Sequence, residues 1–288
     1  MTSIIQKQTI VLGRQFEAIK ETIQSNDQFS NLASISSFNS RNVTITFQTE
    51  KIHPPKNWKN QSPILLLFSN PHPLSVASGM FLSEPHSRAF WERLFSCNCM
   101  QPNKKLMKSV SNWNHETINI LTENLLTSTY SDQVSLYFDC LESLPTKQYS
   151  DLKKIFTQKA GKELRKNTLQ IPGMENLFKV SIKHNINSWI VFSAEAYRYI
   201  CMDKTLAKNA PDRIIQTIDE NLLEKDDEHF WEKLHDLKST VLINNREITV
   251  YLSLIARRKN WKNKIGEYYF TVMLDKIFSK IKEQNQII

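Results

Sequence analysis

The chain has 288 residues, of which 40% are hydrophobic and 23% charged, with a formal net charge of +8. That length buries a sizeable core, and the composition is that of a globular chain rather than a disordered or fibrous one. No apolar run approaches the roughly 20 residues of a membrane helix. The five glycines form neither a GxGxxG nor a GxxxxGKS/T phosphate cradle, and the positive balance favours a polyanionic partner.

The opening MTSIIQKQTIVLGRQ lacks a long apolar core and a small-residue cleavage site, which argues against secretion. Cys97, Cys99, Cys140 and Cys201 are sparse enough to suit a reducing cytosol, so a cytoplasmic location is expected. Ile4, Ile5, Ile10, Leu12, Phe16, Ile19 and Ile23 predict a helix over residues 3–24, ended by Ser25-Asn26-Asp27. NVTITFQT, residues 42–49, alternates as a half-buried strand. The Pro- and Lys-rich connector HPPKNWKNQSP follows at 53–63. Residues 1–60 therefore read as an N-terminal extension, a structural brace in preference to a DNA- or partner-binding arm, ahead of a domain over 61–288.

Ile64–Phe68 is an apolar run short enough for a strand buried on both faces, and the first polar groups, Ser69-Asn70-Pro71, appear where it ends. A loop to Pro85 is expected, after which Ser87 caps a helix from Arg88 to Phe95 that buries Phe90, Trp91, Leu94 and Phe95. Further along, Thr117–Leu126 predicts a helix, Val134–Leu141 a second buried strand, and Ser150-Asp151 the start of a helix running to Arg165 with cations on its exposed side. Ser188–Phe192 is a third strand, and Ser193 with Glu195 opens a helix through Tyr199. Residues 203–238 read as a charged helical insertion. A hairpin then turns at Asn244-Asn245 between Thr240–Leu242 and Ile248–Leu252, and an amphipathic helix spans Lys264–Glu283. Buried strands each followed by a loop and helical sequence imply a parallel sheet with helices on both faces, an α/β fold. In such sheets ligands bind beyond the carboxyl ends of the strands.

Asn70-Pro71 after a buried strand, followed by Leu74-Ser75, Ala77, Gly79, Phe81, Pro85, Arg88 and Phe90-Trp91, resembles the first motif of the uracil-DNA glycosylase superfamily, most closely its mismatch-specific uracil/thymine branch. The likeness covers Ile64–Phe95, with a one-residue shift at Ala89, and fades elsewhere. It implies a three-layer α/β/α fold around a central, mainly parallel four-stranded sheet. It also implies a monofunctional enzyme that flips a base out of DNA, hydrolyses its N-glycosidic bond and needs no cofactor.

On this likeness Asn70 and His72 are the candidate catalytic residues. An amide cannot take a proton, so Asn70 would orient the attacking water while the departing base does much of the work; its other reading is a loop-stabilising asparagine. Phe81, with Ser75, would meet the flipped base, although a phenylalanine between strand and helix also suits a core. Arg88 is carried over as a DNA contact. The second motif departs from the superfamily's His-Pro-Ser or Asn-Pro-Ser: Leu252 stands near the place of the residue that holds the base carbonyl, and Ser253 is the nearest polar substitute. Ile255 or Ala256 is the candidate wedge. Arg257, Arg258, Lys259 and Lys262, with no acid among them, suit phosphate contacts. The changed motif puts ordinary uracil in doubt and makes a modified cytosine, of the kind phages use to disguise their DNA, a reasonable substrate. The cysteines do not have iron–sulfur spacing and no metal is expected. DNA is the expected partner of a monomer. The rival reading is a DNA-binding protein that has kept the scaffold and lost the activity; a nuclease or phosphatase would want a carboxylate cluster that the loops do not offer.

Overall fold

The structure is a computed structural model that describes residues 4–54, 61–201, 238–253 and 265–286. The chain divides into two compact units, one of residues 1–52, 69–87 and 139–177, the other of 53–68, 88–138 and 178–288.

In the first unit β1 (Ile5–Val11), β2 (Ser36–Asn39) and β3 (Thr44–Glu50) form an antiparallel sheet of order β1-β3-β2. The helix expected over 3–24 is thus a strand followed by a shorter helix, α1 (Phe16–Ser25). The run Thr9-Ile10-Val11 is β-branched and prefers an extended backbone. Gly13 then takes φ +52°, which a continuing right-handed helix does not hold. Only Phe16, Ile19 and Ile23 use helical spacing, and all three are buried. The alternation expected over 42–49 does form β3, whose Ile45 and Phe47 face inward. With α2 (Ser30–Ser34) this segment shares one core with residues from far along the chain: Phe16, Ile23 and Phe47 cluster with Leu144, Leu152 and Phe156.

Within the expected loop 71–85 lies a short helix, α3 (Pro73–Ser78), with Pro73 at its start and Gly79 ending it at φ +87°. The single helix expected from 150 to 165 is two, α7 (Asp151–Ile155) and α8 (Gln158–Arg165), because Thr157 is extended and Gln158 has φ +54°. A π-helical turn (Lys166–Gln170) links α8 to α9 (Ile171–His184). In that turn the Ile171 N–H bonds the Lys166 carbonyl, and it lies just before Pro172, which has no N–H to continue a regular ladder. Gly173 follows because the helix passes against the backbone of Leu141; a Cβ there would overlap the Leu141 carbonyl oxygen. In an uncrowded helix Gly→Ala stabilises by up to about 1 kcal/mol. Here Gly173→Ala is expected to lower the unfolding free energy by about 1–3 kcal/mol, a reversal of sign that urea denaturation would read.

In the second unit the sheet has five strands rather than the expected four: β4 (Ser62–Phe68), β5 (Val134–Cys140), β6 (Ser188–Val191), β7 (Lys238–Ile243) and β8 (Arg246–Leu252), in the order β5-β4-β6-β8-β7. The α/β class is as expected. β4, β6 and β8 run parallel, with Leu67 opposite Val191 and Val191 opposite Leu252. The extra strand is the first arm of the predicted hairpin, antiparallel to β8 and turned by Asn244 and Asn245 at φ 48° and 61°, as a tight primed turn requires. β5 and β6 are buried along their whole lengths. Flanking them are α4 (Ala89–Phe95), α5 (Lys104–Ser111), α6 (Thr117–Thr127), α10 (Ala194–Cys201) and α11 (Ile265–Gln286). α4 forms where expected but without the Ser87 cap, since the Ser87 hydroxyl donates to Glu84 instead. Phe68 stacks on Phe192 at 5.2 Å and meets Phe90 edge-on at 5.9 Å, an aromatic packing that the apolar β4 run supplies. Among the described residues no helix is long and apolar enough to cross a membrane. Burial holds the Cys97, Cys99 and Cys140 thiols well above their ordinary value, so they remain protonated.

One titration in this unit has a measurable consequence. The Tyr137 hydroxyl and His184 Nδ1 lie 3.2 Å apart, and burial, with smaller contributions from Lys183 and His53, pushes His184 down to about 4. The folded state therefore keeps this imidazole neutral. Stability is full above the ordinary value of 6.5 and is lost as pH falls from there through about 4. His184→Gln is expected to flatten that part of the stability–pH profile, measured by urea denaturation between pH 7 and pH 4.

Candidate active site

Among the parallel strands, β4 connects onward to β5 on one side while β6 connects onward to β8 on the other. The onward connections thus diverge at the carboxyl ends of β4 and β6, the switch point where open α/β sheets place their ligands. Asn70 is the second residue after β4.

Its side chain is held on both sides. Nδ2 donates to the Thr146 Oγ1 at 2.8 Å, the Thr146 carbonyl at 3.0 Å and the Pro71 carbonyl at 3.1 Å. The Thr146 hydroxyl spends its own proton on the Gln148 carbonyl at 2.8 Å, leaving a lone pair for the amide. Oδ1 accepts from the Ser69 hydroxyl at 3.2 Å. Backbone bonds join the same two segments: the Glu142 N–H reaches the Ser69 carbonyl at 2.9 Å and the Thr146 N–H reaches the Pro71 carbonyl at 3.0 Å. Two carbonyls facing Nδ2 fix the orientation of the amide. They also select asparagine over aspartate, since a carboxylate would bring oxygen against oxygen and has no proton to donate. Asn70 is half-buried, and its Oδ1 keeps a second lone pair that a water can use.

His72, extended at φ −91° and ψ 131°, caps α3, with Nδ1 accepting from the Leu74 N–H at 3.3 Å. Burial lowers its imidazole from the ordinary value; the Glu84 carboxylate opposes the lowering and Lys147 adds to it. A neutral ring with Nδ1 as acceptor carries its proton on Nε2 and offers a donor there. Ser75, on α3, is fully buried and its Oγ has no hydrogen-bond partner among the described residues. Phe81 is 2% exposed, the burial of a core side chain. The residues that sequence reading missed are those on the far side of the clamp. Thr146 is the holder of Asn70, and behind it Glu142 is buried with Arg165. Glu142, a charged residue two positions after the strand β5, was their one visible signal.

In the second unit the Arg88 guanidinium lies 5.0 Å from the centre of the Trp113 ring. Ser253 follows β8, donates its N–H to the Val191 carbonyl at 2.9 Å, and is buried with an Oγ that has no partner among the described residues. Ile255, Ala256, Arg257, Arg258, Lys259 and Lys262 lie outside the described residues, as do residues 203–237 of the helical insertion expected at 203–238, whose last residue, Lys238, opens β7 instead. Among the described residues no group of three or more His, Cys, Asp or Glu side chains is arranged to hold a metal ion.

No family model matches the chain, and no curated protein matches it. What the loop can do is read from its own groups. It offers an immobilised amide with one free acceptor position and a neutral imidazole two residues on.

Proposed function

We propose that the protein is a monofunctional DNA glycosylase on a uracil-DNA glycosylase-like α/β/α scaffold. The observation that carries the reading is the clamped amide of Asn70, the second residue after β4. With Nδ2 committed to Thr146 and Pro71, Oδ1 is aimed by a rigid frame, and it can accept one proton of a water directed at the deoxyribose C1′. Such an amide orients water but does not activate it, which suits a loose, oxocarbenium-like transition state. The N-glycosidic bond breaks with its electron pair on the base, the water oxygen bonds to C1′, and the water proton ends on the departing base. The Nε2–H of His72 is a donor for that base. No lysine lies within Ile64–Phe95 to form a Schiff base, so release stops at an abasic site.

Leu252-Ser253 in place of the usual carbonyl partner favours a base other than uracil, and a modified cytosine is the leading candidate. Repair and defence against phage DNA both fit, in a cytoplasmic monomer. The same substitution favours the rival, a DNA-binding protein without activity. The separating experiment is mass spectrometry of bases released from genomic DNAs of several modification types, phage DNA included, with abasic sites counted in parallel. Base release with stoichiometric abasic sites supports the enzyme. Binding of steep salt dependence with no released base supports the rival.

A further inference from the structure

We propose that Lys147 grips the phosphate beside the extruded nucleotide, and that the exposed lysines of α7 and α8 carry the same strand onward. The inference rests on the DNA glycosylase reading and adds the DNA contact of its first unit.

A nucleotide turned out of a duplex brings its two flanking phosphates with it, only a few bonds from C1′. A group that positions water on C1′ therefore has a phosphate for a neighbour, and a cation at that place is favoured by charge. Lys147 is the residue after Thr146, whose backbone and side chain hold Asn70. Its position relative to the amide is set by the Thr146 N–H bond to Pro71, and its charge is felt at His72. Lys147 is exposed and makes no hydrogen bond or ion pair among the described residues. A surface lysine tied to a buried loop at its backbone, with its ammonium unspent, is fitted to an anion that arrives from outside.

A second observation concerns charge beyond the loop. Residues 147–166 contain six lysines and one arginine against two acids, Asp151 and Glu163. Arg165 is spent on Glu142 and Lys154 on Asp151, which is itself buried. That leaves Lys147, Lys153, Lys159, Lys162 and Lys166, and the last three recur at helical spacing from α8 into the π turn. A segment so unbalanced in charge matches a polyphosphate strand, and the loop bearing Lys147 joins directly to it in sequence.

The test uses the full chain, a duplex with one tetrahydrofuran abasic analogue, which needs no knowledge of the excised base, and fluorescence anisotropy across a salt series. For Lys147→Ala the slope of log affinity against log salt is expected to flatten by about 0.9, with the thermal midpoint unchanged. Replacing the phosphate on either side of the analogue by neutral methylphosphonate should, at one of the two positions, weaken wild-type binding and leave the variant indifferent. An unchanged slope, or a methylphosphonate effect equal in both proteins at both positions, would overturn the assignment while leaving the glycosylase reading intact. If the wild type neither prefers the analogue duplex over an intact one nor releases a base from any DNA, the reading falls and the assignment with it.

Discussion

Asn70→Ala is expected to bind DNA within a few-fold of wild type and to release base on the order of 100-fold more slowly, the cost of losing a positioned reactant. Direct binding and single-turnover release separate the two. Because Nδ2 also ties the loop after β4 to Thr146, the variant is expected to lose stability as well, about 1–3 kcal/mol for buried acceptors left unpaired. Asn70→Asp discriminates further. It keeps an acceptor for water and would be the better base, yet it sets a carboxylate against the Thr146 and Pro71 carbonyls. The frame predicts that Asp also fails, with the lost rate accompanied by a lower thermal midpoint. A folded Asn70→Ala variant with full turnover would make the residue a loop clasp and nothing more. An Asp variant more active than wild type would mean that the two carbonyls do not govern the amide.

The elements that proved legible are those in which one period dominates. Ile64–Phe68 is apolar without interruption, and Val134–Cys140 and Ser188–Val191 are mostly apolar, because both faces of the sheet are covered, and no helix-period reading competes for stretches so short. Asn244-Asn245 announced its turn because few residues other than glycine accept positive φ twice in succession. The failures share a cause: punctuation residues carry two meanings. Pro73 and Gly79 read as loop markers, but proline at a helix start and glycine just past its end also delimit α3. α9 went unread in the sequence, with Pro172-Gly173 near its start: the π turn lets a helix accept the proline, and the passing Leu141 backbone requires the glycine. At β1 the isoleucines fit either period, and the choice was made by pairing with β3, some forty residues away in sequence. The candidate site divides in the same way. Asn70 was visible because it ends an apolar run. Thr146 was not, because it lies 76 residues on and nothing local in LESLPT marks it as the partner of an amide.

The largest effect on stability is expected beneath that partner. Glu142 has a side chain 0% exposed and Arg165 one 9% exposed, joined by Nε to Oε2 at 2.7 Å and Nη2 to Oε1 at 2.6 Å. The Tyr149 hydroxyl donates to the same Oε1 at 2.6 Å and Gln170 Nε2 at 3.0 Å, while the guanidinium lies 4.9 Å from the centre of the Tyr149 ring. Burial and the carboxylate together push the Tyr149 phenol up, so it stays a donor. Both oxygens of the buried carboxylate are answered, which makes the pair costly to break and cheap to replace whole. Arg165→Met leaves a carboxylate buried without its cation and is expected to lower the unfolding free energy by about 3–5 kcal/mol. Adding Glu142→Leu removes the orphaned charge, and most of that loss should return, since apolar side chains of similar volume often match or exceed a buried ion pair. Urea denaturation of both single variants and the double variant closes the cycle. The backbone bond from the Glu142 N–H to the Ser69 carbonyl does not depend on the side chain, so the double variant should also regain the wild-type position of Thr146 and with it the clamp on Asn70. An Arg165→Met variant within 1 kcal/mol of wild type would show the carboxylate answered well enough by Tyr149 and Gln170. A double variant no more stable than the single would place the cost in lost packing around the guanidinium rather than in the unpaired charge.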